Sequence, residues 1–356
     1  MRRRTGGDGH LMASTVLVAG RELRAGARPF VIAEAGVNHN GDLDLALELV
    51  AAAAHAGADA VKFQTFSAHR VVVAGARAAR YAGGGSQREL LRGLELPSEA
   101  WGRLKLAAET AGLVFLSTPF DEGAVDLLAD LPIAAIKVSS GDLTNTPLLR
   151  RIARTRLPVL LSCGMSTLAE VERGLQDLGD APVVLLHCVS AYPAPLHDCH
   201  LAAIGELTRR FGVPVGFSDH TKGDVAAIAA VALGACCIEK HLTLDRELPG
   251  PDHRASMAPD SFGRLVTAIR SAHSAVGDAE KRLRPSEADA SAVARRSLVA
   301  ASDLPEGRRL RPDDVAARRP GDGIPPTAVD DVTGRRLRRS LAEGERLAWS
   351  DLGGPS

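Results

Sequence analysis

Two lysines and two histidines stand where short apolar runs break into polar residues: Lys62 in "DAVKFQT", Lys137 in "IAAIKVSS", His220 after "VPVGFSD" and His241 in "CCIEKHL". Ionisable groups beside a buried run are costly to keep, so each break marks a place where chemistry is retained. Two ammonium groups converging on one place need an anion between them. Ser140 beside Gly141, Ser162 and Ser218 also end such runs and add hydroxyl donors. A phosphate or carboxylated phosphate is the guest that this set suits. Paired imidazoles near the carboxylates Glu34, Glu239 and Asp252 suit a divalent cation with open positions, whether manganese, magnesium or cobalt. Each residue alone has a plainer reading: a rim lysine reaches for solvent, and a lone histidine satisfies a local structural bond. Asn38, His39, Gln64, Ser117, Thr118, His187, Ser190, Tyr192 and Lys240 complete the polar residues at the run ends. Cys236 and Cys237 open their run and read as small core residues.

The elements that must position these groups alternate regularly. From Phe30 to about Arg270, eight apolar runs ("FVIAEAG", "DAVKFQT", "LVFLSTP", "IAAIKVSS", "PVLLSC", "PVVLLHC", "VPVGFSD" and "CCIEKHL") are each followed by an amphipathic segment. Near-continuous apolar strands buried on both faces predict an α/β fold, a closed (β/α)8 TIM barrel, in which the carboxyl ends of all strands share one mouth. An open doubly wound sheet has the same periodicity, but no Gly-rich dinucleotide fingerprint follows the first strand. Several helical segments end in Gly just before the next strand, and Asp42 is placed to cap the first helix. The longest insertion, Ser67 to Leu96, separates the second strand from its helix and suits an active-site loop. Residues 1–29 read as an N-terminal extension, 30–277 as the barrel and 278–294 as a linker. Residues 295–356 read as a compact domain of short strands between Gly, Pro and Asp turns.

Composition narrows the partners. The 356 residues carry 43 Lys+Arg and 43 Asp+Glu, and aromatics are 3%. A balanced charge announces no basic face for nucleic acid or anionic membrane, and few aromatics leave no platform for base stacking. The basic start "MRRRTGGDGHLMAST" is followed by no apolar run of signal length, and stretches such as "AAIAAVALGACC" are too short to span a bilayer. A cytoplasmic location is therefore expected. Five cysteines without CxxC spacing support neither a disulfide framework nor a zinc knuckle.

The runs also carry specific motifs. "FVIAEAGVNHNGD", "AVKFQTF", "FLSTPFD", "IKVSSGDLTNTPLL", "LLSCGMST", "LLHCVSAYPAP", "GFSDHT", "ALGACCIEKHLTLD" and "GPDHRASMAP" together resemble the sialic acid synthase (N-acetylneuraminate synthase) family. "RRSLVAASDLPEGRRLRPDDVAARRPGDGI" resembles that family's antifreeze-like (SAF) domain, and the likeness runs in order from Phe30 to Leu352. It implies a metal-dependent condensation of phosphoenolpyruvate with N-acetylmannosamine or a related 2-acylamino sugar, giving a nonulosonic acid and phosphate. Carried over by position, Glu34, Lys62, Lys137, His220 and His241 are the catalytic set. Lys62, Lys137, Ser140, Ser162 and Ser218 bind phosphoenolpyruvate, with Ser190 standing where some members have asparagine. Gln64, Thr118, Phe120, Tyr192, Asp252 and Arg319 face the sugar, and His220 with His241 holds the metal, Mn2+ ahead of Mg2+ or Co2+. Arg319 implies a domain-swapped homodimer, since in this family the small domain inserts that arginine into the other subunit's site. Legionaminic and pseudaminic acid synthases share these motifs, which leaves a 2,4-diacylamino hexose open as the acceptor. A metal-dependent phosphosugar aldolase and a catalytically silent carbohydrate-binding protein are the competing readings.

Overall fold

A computed structural model describes residues 14–78 and 85–354. The basic start of the chain and the middle of the long insertion lie outside the described residues. The described part of the N-terminal extension is not featureless. Strands β1 (Val16–Val18) and β2 (Arg21–Leu23) form an antiparallel hairpin across Ala19 and Gly20, both at positive φ. Positive φ at both loop residues gives a turn whose twist matches the strands. Alternation along the hairpin buries Val16, Val18 and Leu23 against Phe30, Ile32, Leu116 and Leu186.

Eight parallel strands follow: β3 (Phe30–Gly36), β4 (Ala60–Thr65), β5 (Val114–Pro119), β6 (Ile136–Val138), β7 (Val159–Ser162), β8 (Val183–Cys188), β9 (Val215–Asp219) and β10 (Cys237–His241). They pair in sequence order, and β10 closes on β3, so the barrel is complete. The intervening helices are α1 (Leu43–His55), α2 (Ala68–Val71), α3 (Gln87–Arg92), α4 (Ser98–Thr110), α5 (Glu122–Asp130), α6 (Thr146–Thr155), α7 (Leu168–Leu178), α8 (Ala203–Phe211), α9 (Val225–Ala232) and α10 (Pro259–Val276). Asp42 caps α1, its carboxylate accepting from the amides of Asp44 and Leu45. The long insertion carries α2 and α3.

Side chains alternate strictly along each strand, so one set of positions faces the helices and the other the barrel interior. The first set, including Val31, Val61, Phe63, Ile136, Leu161, Phe217 and Ile238, packs with the helices into the main core. In the second set Phe30, Ile32, Ala60, Leu116, Leu160, Val184 and Cys237 fill the closed end. Two residues further along each strand, the same inward register presents Glu34, Lys62, Thr118, Ser162, Glu239 and then His241. Cys237 is indeed wall material. A Cβ on Gly216 would lie only 2.2 Å from its sulfur, so the neighbouring strand must carry glycine there.

The chain divides after Gly277 into a second compact unit, residues 278–356. The segment expected as a linker groups with this unit and holds helix α11 (Ala288–Ala294). Strand β11 (Ser297–Ala300) pairs antiparallel with β12 (Val315–Arg318), and helix α12 (Val329–Val332) follows. Leu298, Leu310, Ile324, Val332, Leu337 and Leu347 make its own small core. Among the described residues no helix is long and apolar enough to cross a membrane.

Candidate active site

A cavity of about 520 Å³ opens at the carboxyl ends of the barrel strands. Its floor is a charge cluster. Lys62 Nζ lies 2.7 Å from Glu34 and 3.7 Å from Glu239, and donates to Thr118 Oγ1 at 3.0 Å. Lys137 Nζ lies 3.8 Å from Glu239, which also accepts from the Ser218 hydroxyl at 2.8 Å. All four ionisable side chains are buried, with residue exposures of 2% to 5%. Burial alone would raise the Glu239 pKa, but the ammonium groups of Lys137 and Lys62 outweigh it and hold that carboxyl at about 2. Burial pushes the Lys62 pKa down, and Glu239 and Glu34 more than restore it. For Lys137 burial wins, and the pKa falls despite Glu239. Glu34 moves up, driven by burial and by the charge of Glu239 against the pull of Lys62. Two carboxyls within reach of one lysine are thus driven apart: Glu239 stays ionised, and Glu34 is the one that most readily exchanges a proton.

Above this floor, the His220 and His241 rings lie 5.7 Å apart, and Tyr192 covers both, at 4.3 Å and 5.8 Å. His220 Nδ1 is 2.8 Å from the Val189 carbonyl, which fixes the proton on that nitrogen and leaves Nε2 as the acceptor nitrogen, 3.5 Å from the Ser218 hydroxyl. Burial pushes both imidazoles down to about 4, so both are neutral at ordinary pH. His241 Nδ1 is buried without a hydrogen-bond partner and lies 3.9 Å from Asp252, whose own pKa burial raises. An orphaned ring nitrogen beside a second neutral imidazole fits a divalent cation. The protein would supply only these two nitrogens, because no group of three or more His, Cys, Asp or Glu poised around an ion occurs among the described residues. The carboxylates expected near the histidines are therefore partly reassigned, with Glu34 and Glu239 engaged by the lysines.

Every barrel residue singled out for the site lines this one cavity: Glu34, Lys62, Gln64, Thr118, Phe120, Lys137, Ser140, Ser162, Ser190, Tyr192, Ser218, His220, His241 and Asp252. Gln64 Nε2 donates to Glu34 at 3.0 Å, Phe120 packs edge-on against Phe66, and Ser162 Oγ is buried with no hydrogen-bond partner. Arg319 lies in the second unit, exposed, just after β12. Other polar residues at the strand ends turn away. Lys240 faces outward to Asp219, Asn38 donates to the Leu242 carbonyl and to Ser256, His39 accepts from the Gly41 amide, and His187 meets the Cys199 carbonyl. Gln87 from the insertion, Ser139 and Met165 also line the cavity, Gln87 and Met165 at positions that the ends of the apolar runs do not mark.

Buried ammonium groups, serine hydroxyls and adjacent neutral imidazoles at a barrel mouth equip an enzyme for an anionic substrate. Comparison with known proteins narrows that class. Residues 49–281 match the NeuB family and residues 295–353 the SAF domain. The chain is 43% identical over 336 residues to the N,N'-diacetyllegionaminic acid synthase of Legionella pneumophila, covering 91% of this chain and 94% of that protein. It is 33% identical to the N-acetylneuraminate-9-phosphate synthase of Homo sapiens, covering 89% and 91%. The crystal structure of N-acetylneuraminic acid synthetase from Leptospira borgpetersenii superposes with a TM-score of 0.72 at 32% identity, covering 78% of this chain and 95% of that one. The chain belongs to the NeuB family.

Proposed function

We propose that the enzyme condenses phosphoenolpyruvate with the open-chain aldehyde of an acylamino sugar and water, forming a nonulosonic acid and releasing phosphate. The observation that carries this reading is the pair of buried lysines, Lys62 and Lys137, set among serine hydroxyls in a single cavity. In this reading Lys62, Lys137, Ser140, Ser162, Ser190 and Ser218 hold the phosphate and carboxylate of phosphoenolpyruvate. Gln64, Thr118, Phe120, Tyr192 and Asp252 orient the sugar so that its aldehyde carbon meets the enol carbon. Glu34, whose carboxyl is the readier to exchange a proton, takes one from the water that adds at the former enol-phosphate carbon. Cleavage of the C–O bond there expels phosphate and leaves a ketone. A divalent cation, Mn2+ ahead of Mg2+ or Co2+, held by His220 and His241 would polarise the aldehyde oxygen as a Lewis acid.

The acceptor we infer is a 2,4-diacylamino hexose rather than N-acetylmannosamine, a choice supported by the greater likeness to the legionaminic acid synthase than to the N-acetylneuraminate-9-phosphate synthase. The working form in this reading is a cytoplasmic, domain-swapped homodimer in which Arg319 of one copy completes the sugar site of the other. A panel of 2-acylamino and 2,4-diacylamino hexoses, assayed with phosphoenolpyruvate for phosphate release, tests the reaction and the acceptor together. Phosphate should appear only when both substrates are present, and fastest with a diacylamino hexose. Failure of every acylamino hexose to elicit phosphate would refute the reaction, and an aldolase acting on a phosphosugar would leave phosphoenolpyruvate untouched.

A further inference from the structure

We propose that Cys188 is a positioning residue that makes the Ser140 hydroxyl an obligate donor into the cavity, so that the pocket selects a group able only to accept hydrogen bonds. The inference rests on reading the cavity as a phosphoenolpyruvate site and assigns a part of it that the motifs leave blank. Cys188 is the last residue of β8 and is 5% exposed, and its sulfur lies 3.1 Å from Ser140 Oγ. The same Ser140 oxygen accepts the Gly164 amide at 3.0 Å.

A hydroxyl has one proton to give and two lone pairs to fill. The Gly164 amide fills one lone pair of Ser140. Burial pushes the Cys188 thiol up, so its proton stays on sulfur; either atom of the pair can donate, and in the proposed arrangement the thiol donates to Ser140 Oγ. With both lone pairs occupied, Ser140 can only donate. The oxygens of a phosphate or carboxylate anion are acceptors and fit that arrangement, whereas a hydroxyl presenting its own proton does not.

Packing at Gly164 supports the assignment independently of any proton. A Cβ there would stand 2.5 Å from Ser190 Oγ, 2.8 Å from Cys188 Sγ and 3.0 Å from Ser140 Oγ. Three polar side chains from two segments, Ser140 after β6 and Cys188 with Ser190 at the end of β8, therefore fill the space a Cβ would take, an approach that glycine permits. Ser162, two residues earlier, brings a buried hydroxyl without a hydrogen-bond partner to the same cavity.

The test is a double-mutant cycle on the full chain, read by calorimetric titration with inorganic phosphate and by KM and kcat for phosphoenolpyruvate. Cys188→Ala, which leaves the Ser140 hydroxyl in place, should weaken phosphate about threefold, the worth of one neutral hydrogen bond, and raise KM by a similar factor with kcat within about twofold. Ser140→Ala, which removes the bond to the charged group itself, should weaken phosphate about tenfold, and the double variant should be no weaker than Ser140→Ala alone. Cys188→Ser, which restores a proton donor, should recover most of the affinity. Thermal unfolding of each variant separates loss of fold from loss of the contact. Losses that multiply in the double variant, a Cys188→Ser variant as weak as Cys188→Ala, or a Cys188→Ala variant equal to wild type would each overturn this inference alone. Wild-type protein that binds no inorganic phosphate would overturn the anion reading of the cavity and this inference with it.

Discussion

Removing Lys240 tests how the histidine pair is held. Lys240 and Asp219 face each other on the outer side of β10 and β9, with Nζ 2.6 Å from Oδ2 and side chains 2% and 0% exposed. Lys240 also donates to the Thr221 carbonyl at 2.9 Å, and Asp219 accepts the Thr221 amide at 2.8 Å. Each partner is flanked in sequence by cavity residues, Glu239 and His241 on one strand, Ser218 and His220 on the other. The ion pair thus staples the two strands from behind. Lys240→Met leaves a fully buried carboxylate with one amide donor, and breaking a buried pair in this way costs about 3–5 kcal/mol. Adding Asp219→Asn removes the stranded charge while retaining an acceptor for the Thr221 amide. The double variant should therefore recover about 2–4 kcal/mol of that loss, since replacing both partners of a buried pair is often close to neutral. Urea denaturation followed by circular dichroism gives the four stabilities, and Mn2+ titration of the folded variants reads the histidine geometry. Lys240→Met should weaken Mn2+ binding although it touches no ligand. A double variant as unstable as the single one, or a single loss below about 1 kcal/mol, would refute the staple.

The depressed pKa of both histidines sets a pH test. Protons compete with a metal for an imidazole only near or below its pKa, so groups at about 4 compete little at pH 5.5. Mn2+ affinity should change less than about twofold between pH 7.5 and 5.5, whereas two histidines near the ordinary value of about 6.5 would lose roughly a hundredfold. A loss of the larger size would show that the rings are not held neutral by burial. Subunit exchange is tested by refolding Arg319→Ala chains together with Lys62→Ala chains. In a swapped dimer, random pairing leaves about a quarter of the sites with both residues intact, so activity should return to about that fraction of wild type. No recovery over the separate variants would count against swapping.

The barrel strands were legible because each is a continuous apolar run stopped by a polar residue, and a parallel barrel gathers those stops at one mouth. What the runs do not display is which polar residue turns inward. Glu239, Lys240 and His241 read as one ionisable triplet, yet the two-residue period of the strand sends Glu239 and His241 into the cavity and Lys240 out to Asp219. Asn38 and His39 follow a strand just as closely, but there the chain has already turned, and their side chains tie the loop instead. The hairpin over residues 16–23 is not legible in the sequence because three-residue strands are too short for a periodic signal, and Ala-Gly between them is its one mark. Gly164 and Cys188 were illegible for a different reason: their part depends on segments brought together only by barrel closure. The same reason moved Glu239. In the linear sequence it is the carboxylate nearest to His241, which suggests a place beside the metal. Across the closed barrel it stands between Lys62 and Lys137, and it is their ammonium groups, distant in sequence, that hold it ionised.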